Sequence, residues 1–148
     1  MQYICTPALS KAARTAHLIK NADCRNKVVP MKLPGPDHPI AITPNPKRVR
    51  ISAAGVVIAD TTHALTLKEA SYPAVQYVPR EDANMALLSR SDRTTHCPYK
   101  GDASYFSVTA GGKALENSIW TYETPFPAMA EITGHLAFYP DKVTVEQL

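Results

Sequence analysis

The chain has 148 residues, 45% hydrophobic and 20% charged, which suits one domain with a real core and is too short for two. This composition excludes a disordered chain, and no apolar run approaches the roughly 18 residues a membrane span requires, so no membrane partner is expected. The formal net charge of +3 is concentrated at one end, and its distribution decides what it implies.

Up to Pro30 five basic residues (Lys11, Arg14, Lys20, Arg25 and Lys27) face the single acid Asp23. From Met31 onward 11 basic residues face 12 acidic ones, so the body is near neutral and no nucleic-acid partner is expected. Residues 1–30 read as a basic leader or upstream extension outside the fold. A secretory signal does not fit, for want of an apolar stretch after the early charges. A transit-type presequence fits better, with a helical stretch over Ala8 to Lys20. The abrupt change at Met31-Lys32-Leu33-Pro34 favours Met31 as the true start. Of the three cysteines, Cys5 and Cys24 lie in the leader and Cys97 stands alone in the body. A lone body cysteine forms neither an internal disulfide nor a multi-thiolate zinc site, which suits the reducing cytosol.

Six of the 13 prolines fall between Pro30 and Pro46. Residues 31–46 are therefore expected to be an extended arm rather than a packed element, and a possible route to a homo-oligomer. The domain proper is assigned to residues 47–148. Lys47 to Ala53 alternates strictly, with Val49, Ile51 and Ala53 on one face, which predicts a half-buried strand. Ala54-Gly55 supplies the turn to a hairpin partner over Val56 to Ala59. Ala64 to Leu67 and Ala74 to Val78 predict two further strands.

Pro79 ends the last of these. A short helix is expected from Arg80-Glu81-Asp82 through Leu88, with Asp82 as its N-cap. Arg90 to Asp102 has little periodicity and reads as a polar loop. Strands follow over Ala103 to Val108 and from Glu116 or Asn117 to about Glu123, either side of a turn at Gly111-Gly112. A short helix over Ala128 to Thr133, then strands over Leu136 to Tyr139 and Val143 to Val145, complete the chain. Seven to nine short strands with frequent turns predict a mainly β fold: a small antiparallel sandwich or open barrel with one or two short helices.

Several stretches carry a family resemblance. Thr95-His96-Cys97-Pro98-Tyr99-Lys100-Gly101 followed by Ser104-Tyr105 resembles the signature of domain-of-unknown-function family 427. Tyr77-Val78-Pro79-Arg80-Glu81-Asp82, Trp120-Thr121-Tyr122-Glu123 with Pro125, and Phe138-Tyr139-Pro140-Asp141 do so too. The match runs from about Met31 to Val145. The resemblance implies a β-tent fold, the architecture of methionine sulfoxide reductase B and of cereblon's drug-binding domain. Those relatives usually hold zinc on two Cys-x-x-Cys knuckles; this sequence has neither knuckle, so no metal or other cofactor is carried over. A nucleotidyltransferase label is also attached to the family. The sequence gives it little support, having no Asp-x-Asp pair for two metals and no glycine-rich phosphate cradle beyond Lys100-Gly101.

Cys97 is the candidate nucleophile, because a useful thiol needs a neighbouring cation or base. His96 is poorly placed for that, since Pro98 holds Cys97 extended and adjacent side chains then point apart. Lys100, His63 or His135 would serve better if the fold brought one near. The alternative is a small thiol that only packs. Trp120 and Tyr122, two apart on a strand, share one face and with Tyr77 and Tyr105 form an aromatic constellation. It would hold a flat or apolar ligand group, oriented by Arg80, His96, Lys100 or Glu123. The alternative is an ordinary core. Arg80 could clamp a carboxylate or phosphate, but the reading preferred for it is a helix-start ion pair with Glu81, Asp82 or Asp92, and His38, His63 and His135 read as surface or locally bonded. The expected function is a cytosolic domain that binds a small-molecule ligand. An enzyme using Cys97 as nucleophile or redox thiol, or the nucleotidyl transfer of the family label, is the alternative.

Overall fold

A computed structural model describes residues 30–148. The helical stretch expected over Ala8 to Lys20, with Cys5 and Cys24, lies outside the described residues. Among the described residues no helix is long and apolar enough to cross a membrane.

The described residues form ten strands: β1 (Ile40–Pro44), β2 (Val49–Ala53), β3 (Val56–Thr61), β4 (Leu65–Glu69), β5 (Val75–Val78), β6 (Leu88–Cys97), β7 (Gly101–Ala110), β8 (Lys113–Thr121), β9 (Leu136–Phe138) and β10 (Thr144–Gln147). They make two antiparallel sheets, of order β1-β4-β5-β9-β8-β7-β6 and β10-β2-β3. Neither sheet closes on itself, so the fold is a small β sandwich and not a barrel.

The alternation read in Val49–Ala53 is what builds the sandwich. Val49, Ile51 and Ala53 are buried while Arg50 and Ser52 are half exposed. They join Ile58 and Ala59 of β3 in one apolar cluster with Val78, Phe106, Val108, Ile119, Leu136 and Phe138 of the large sheet. A register shift after Ile51 leaves Ile58 between the Ala59 and Val57 pairings, which is how two consecutive β3 side chains turn inward. The β2–β3 turn has positive φ at both Ala54 (49°) and Gly55 (75°), the hand that matches strand twist. Gly111, in the β7–β8 turn, lies against it: a β-carbon there would come within 2.7 Å of the Ala54 methyl.

Three expectations are corrected. The arm is not wholly outside the packing, because Ile40–Pro44 pairs with β4 in register from Ile40 opposite Glu69 to Pro44 opposite Leu65. Pro44, the one proline within it, is tolerated because β1 is an edge strand, where a missing donor can face solvent. Arg90 to Asp102 is not a loop but most of β6 and the start of β7. As an edge strand interrupted between Arg90 and Thr94, β6 buries too little to show any alternation.

The helix expected over Arg80 to Leu88 is instead two single 3₁₀ turns, Arg80–Asp82 and Met85–Leu87. Ala83 between them is extended and bridges to Ala59. Asp82 does not cap: it accepts a hydrogen bond from Thr61 Oγ1 at 2.7 Å, and Asn84 caps the second turn. The other short helix is a 3₁₀ segment, Pro127–Ile132, kinked at Met129.

Candidate functional site

The large sheet has a second buried face. In a strand, the residues between those that feed the sandwich core point the other way. Tyr77, Ala103, Tyr105 and Ala137 do so, and they cluster with Leu67, Tyr122, Met129 and Ile132. Met129 and Ile132 come from the 3₁₀ segment, which covers part of this face. What it leaves uncovered is aromatic.

Register places the rings. Tyr77 of β5 lies opposite Ala137 of β9, Ala137 opposite Trp120 of β8, and Trp120 opposite Tyr105 of β7. One row across four strands therefore presents Tyr, Ala, Trp and Tyr on the same face. The Trp120 indole donates to the Tyr77 hydroxyl at 3.3 Å, with the two rings edge to face at 6.4 Å. Tyr139 tilts against Trp120 at 4.5 Å between centroids. Tyr105 is fixed by a 2.8 Å hydrogen bond between its hydroxyl and Thr95 Oγ1, with the Arg93 guanidinium over its ring at 4.9 Å. Together Tyr77, Tyr105, Trp120, Tyr122 and Tyr139 line a cavity of about 230 Å³.

Its polar end is an ion pair. Lys100, only 7% exposed, donates to the Glu69 carboxylate, and both line the cavity. The other Glu69 oxygen meets His38 Nε2 at 2.9 Å, and the His38 ring stacks on Tyr99 at 4.1 Å. Burial alone would raise the Glu69 carboxyl, but the hydrogen bonds and charges of Lys100 and His38 outweigh it and hold the group below its ordinary range. Burial pushes the Tyr77 and Tyr122 phenols far above their ordinary value. Tyr139, through burial and its hydrogen bond with Tyr105, is pushed up to about 12. All three phenols are neutral at physiological pH, so the cavity wall combines aromatic faces and neutral hydroxyls with one internally compensated charge pair.

Cys97 packs beside this cluster, half buried. The tight β6–β7 connection, with Cys97 opposite Gly101, turns Lys100 back so that its Nζ lies 3.8 Å from Cys97 Sγ. His96 points elsewhere, as its alternate position on the strand requires. It is 2.6 Å from Asp102 through Nδ1 and lies edge-on to Phe126.

The structure thus brings together Tyr77, Tyr105, Trp120, Tyr122, Lys100 and Cys97, and leaves His96, Arg80 and Glu123 apart from them. Arg80 does not pair with Glu81, Asp82 or Asp92. Its guanidinium donates to Gly134 O (3.1 Å), Thr121 Oγ1 (3.3 Å) and Glu123 (3.4 Å), lying over Phe106. Arg90 meets the same Glu123 oxygen at 2.7 Å. Arg80 and Glu123 line a larger and more open cavity of about 640 Å³ with His63 and His135. Both histidines bond locally, His63 Nδ1 with Thr62 at 3.4 Å and His135 Nδ1 with Thr133 O at 3.1 Å. Size alone does not make that notch the better site: no tyrosine or tryptophan lines it, and its guanidinium and carboxylate are each about one third exposed.

Sequence reasoning missed Glu69, Tyr139 and His38. Glu69 ends a strand and His38 lies in the arm, 31 residues away, and no local pattern joins them. Tyr139 could have been found from Phe138-Tyr139, where one ring enters the sandwich core and the next must face the other way. Among the described residues no three His, Cys, Asp or Glu side chains converge on a point that would hold a metal ion.

No curated protein matches the chain. A family profile does, over most of the described residues, and its short name refers to nucleotidyl transfer, a label that by itself assigns no activity. The chain belongs to the domain-of-unknown-function family DUF427, matched over residues 41–147.

Proposed function

We propose that this is a small-molecule-binding domain of the cytosol whose ligand site is the aromatic cavity on the second face of the large sheet. The observation that carries the reading is the convergence of five aromatic rings with a buried Lys100–Glu69 pair at one end. A protein that needed only a core would have no reason to hold a lysine there, because burying a charge costs several kcal/mol, about as much as a good pair returns. The volume of about 230 Å³ lies below the ~300–1,000 Å³ typical of drug-sized ligands. The natural occupant of that cavity is a single flat ring with a polar edge, and a whole nucleotide exceeds it. The ring stacks among the tyrosines and Trp120, and its polar edge meets Lys100 and Glu69.

Trp120 is the sole tryptophan and lines this cavity, so its emission reports on the cavity wall. Titrating the protein with phenol, the simplest ring with a polar edge, is expected to change that emission saturably in the wild type and not in Tyr105→Ala. An unaltered or non-saturating emission contradicts the reading.

A second reading is favoured by one distance, the 3.8 Å between Lys100 Nζ and Cys97 Sγ. A cation so placed favours the thiolate, the form that attacks an electrophile. Here Cys97 is a nucleophile toward the ligand. Alkylation followed by mass spectrometry, resolved at Cys97 against Cys5 and Cys24, tests it. Reaction at Cys97 is expected to slow in Lys100→Met; equal rates in the two proteins contradict it.

A further inference from the structure

The aromatic cavity has a neighbour. A second cavity, of about 330 Å³, is lined by Ile51, Ala74, Phe138, Pro140 and Val145, and it shares Val75 and Trp120 with the first. It exists because β9 is only three residues long. Beyond Phe138 no strand fills the space between β5 and β8, and the gap opens toward β2 and β10. Its two amides, Gln76 and Gln147, are already held by the buried Asn45, which donates to Gln76 Oε1 at 2.8 Å and to Gln147 Oε1 at 3.1 Å. With their carbonyl oxygens engaged, the cavity offers a ligand mainly apolar walls.

We infer that the two cavities form one divided site, and that the ligand is a ring bearing an apolar substituent. The ring occupies the aromatic cavity and the substituent passes the edge of Trp120 into the apolar one. Trp120 suits the dividing position. It is half buried rather than locked in, tied by the Tyr77 hydrogen bond and by contact with Tyr139. The two cavities together reach the size range of ordinary ligand sites, which the aromatic one alone does not. This inference rests on the ring-binding reading above and adds the class of ligand.

The test uses the full-length protein and a series from phenol through 4-ethylphenol to 4-butylphenol, read by Trp120 emission. Affinity is expected to rise about three- to fourfold for each added methylene, the increment for burying one such group. Ala74→Leu, on the exposed β4–β5 connection, and Val145→Phe, on β10, each fill the apolar cavity. Either should abolish the rise while keeping the affinity for phenol. If no member of the series alters the emission, the ring-binding reading fails and this inference with it. If phenol binds but the alkyl chain adds nothing, this inference alone is overturned. A rise that survives in both filled variants overturns it too, since the chain then lodges elsewhere. Loss of phenol binding along with the rise in both variants contradicts the division into two compartments.

Discussion

The Trp120 indole reaches the Tyr77 hydroxyl, 3.3 Å away, across an intervening strand. Strands two apart in a sheet are separated by nearly ~10 Å, so the contact depends on what stands between them. That residue is Ala137, fully buried and opposite both. A methyl group leaves the rings room to meet. Ala137→Leu is expected to force them apart, to destabilise the domain by about 1–3 kcal/mol through overpacking, and to shift Trp120 emission. Urea denaturation followed by that emission checks both effects, and a variant of unchanged stability and spectrum would refute the packing argument.

The Lys100–Glu69 pair is held at a similar cost. Glu69→Gln leaves the Lys100 ammonium buried without its counter-charge and should lower stability by about 3 kcal/mol. Adding Lys100→Met should recover most of that loss, because an apolar side chain of similar length removes the stranded charge. The pH dependence has a definite sign. The Glu69 carboxyl lies below its ordinary value near 4.5 in the folded protein, so its contribution is complete above that value and is lost as pH falls through the folded one. Wild-type stability should therefore fall on acidification below about 4.5 more steeply than that of Glu69→Gln.

The buried phenols titrate at the other extreme. Tyr77, Tyr122 and Tyr139 are all raised above the ordinary value of 10.0. The unfolded chain loses these protons first, so stability is intact below pH 10 and declines as pH rises through the folded values, about 12 for Tyr139. Each such group contributes a slope of up to about 1.4 kcal/mol per pH unit. Absorbance titration should show these tyrosines ionising only with alkaline unfolding, and Tyr122→Phe should flatten the decline. A complete titration near pH 10 in the folded protein would contradict their burial.

Much of the aromatic site was legible in the sequence because strand periodicity is strict. Trp120 and Tyr122 share a face by their spacing of two, and the contrast between Cys97 and His96 follows from the same alternation. The ring row itself was not legible, because it depends on the register of four strands, which no local pattern specifies. Arg80 and Glu123 were grouped with the rings for being near them in sequence. Both, however, lie past the ends of their strands, Arg80 in the 3₁₀ turn after β5 and Glu123 two residues after β8, and they meet each other instead of the rings, with Arg80 over Phe106. β6 was unreadable as a strand because an exposed edge has no buried face to imprint on Ser89 to His96.

That separation is itself testable. Glu123 is about one third exposed and holds two arginines at the surface of the other cavity. Glu123→Gln is expected to cost at most about 1 kcal/mol of stability and to leave phenol affinity unchanged. A tenfold loss of affinity in this variant would move the site to the larger cavity.

The most direct test is an NMR titration of the isotope-labelled protein with phenol, observing the Trp120 indole N–H and the backbone amides together. The account predicts saturable shifts at that indole signal and at Tyr77, Tyr105, Tyr122 and Lys100, with no matching shifts at His63, Arg80 or His135. Shifts confined to the second group, or none that saturate, would contradict it.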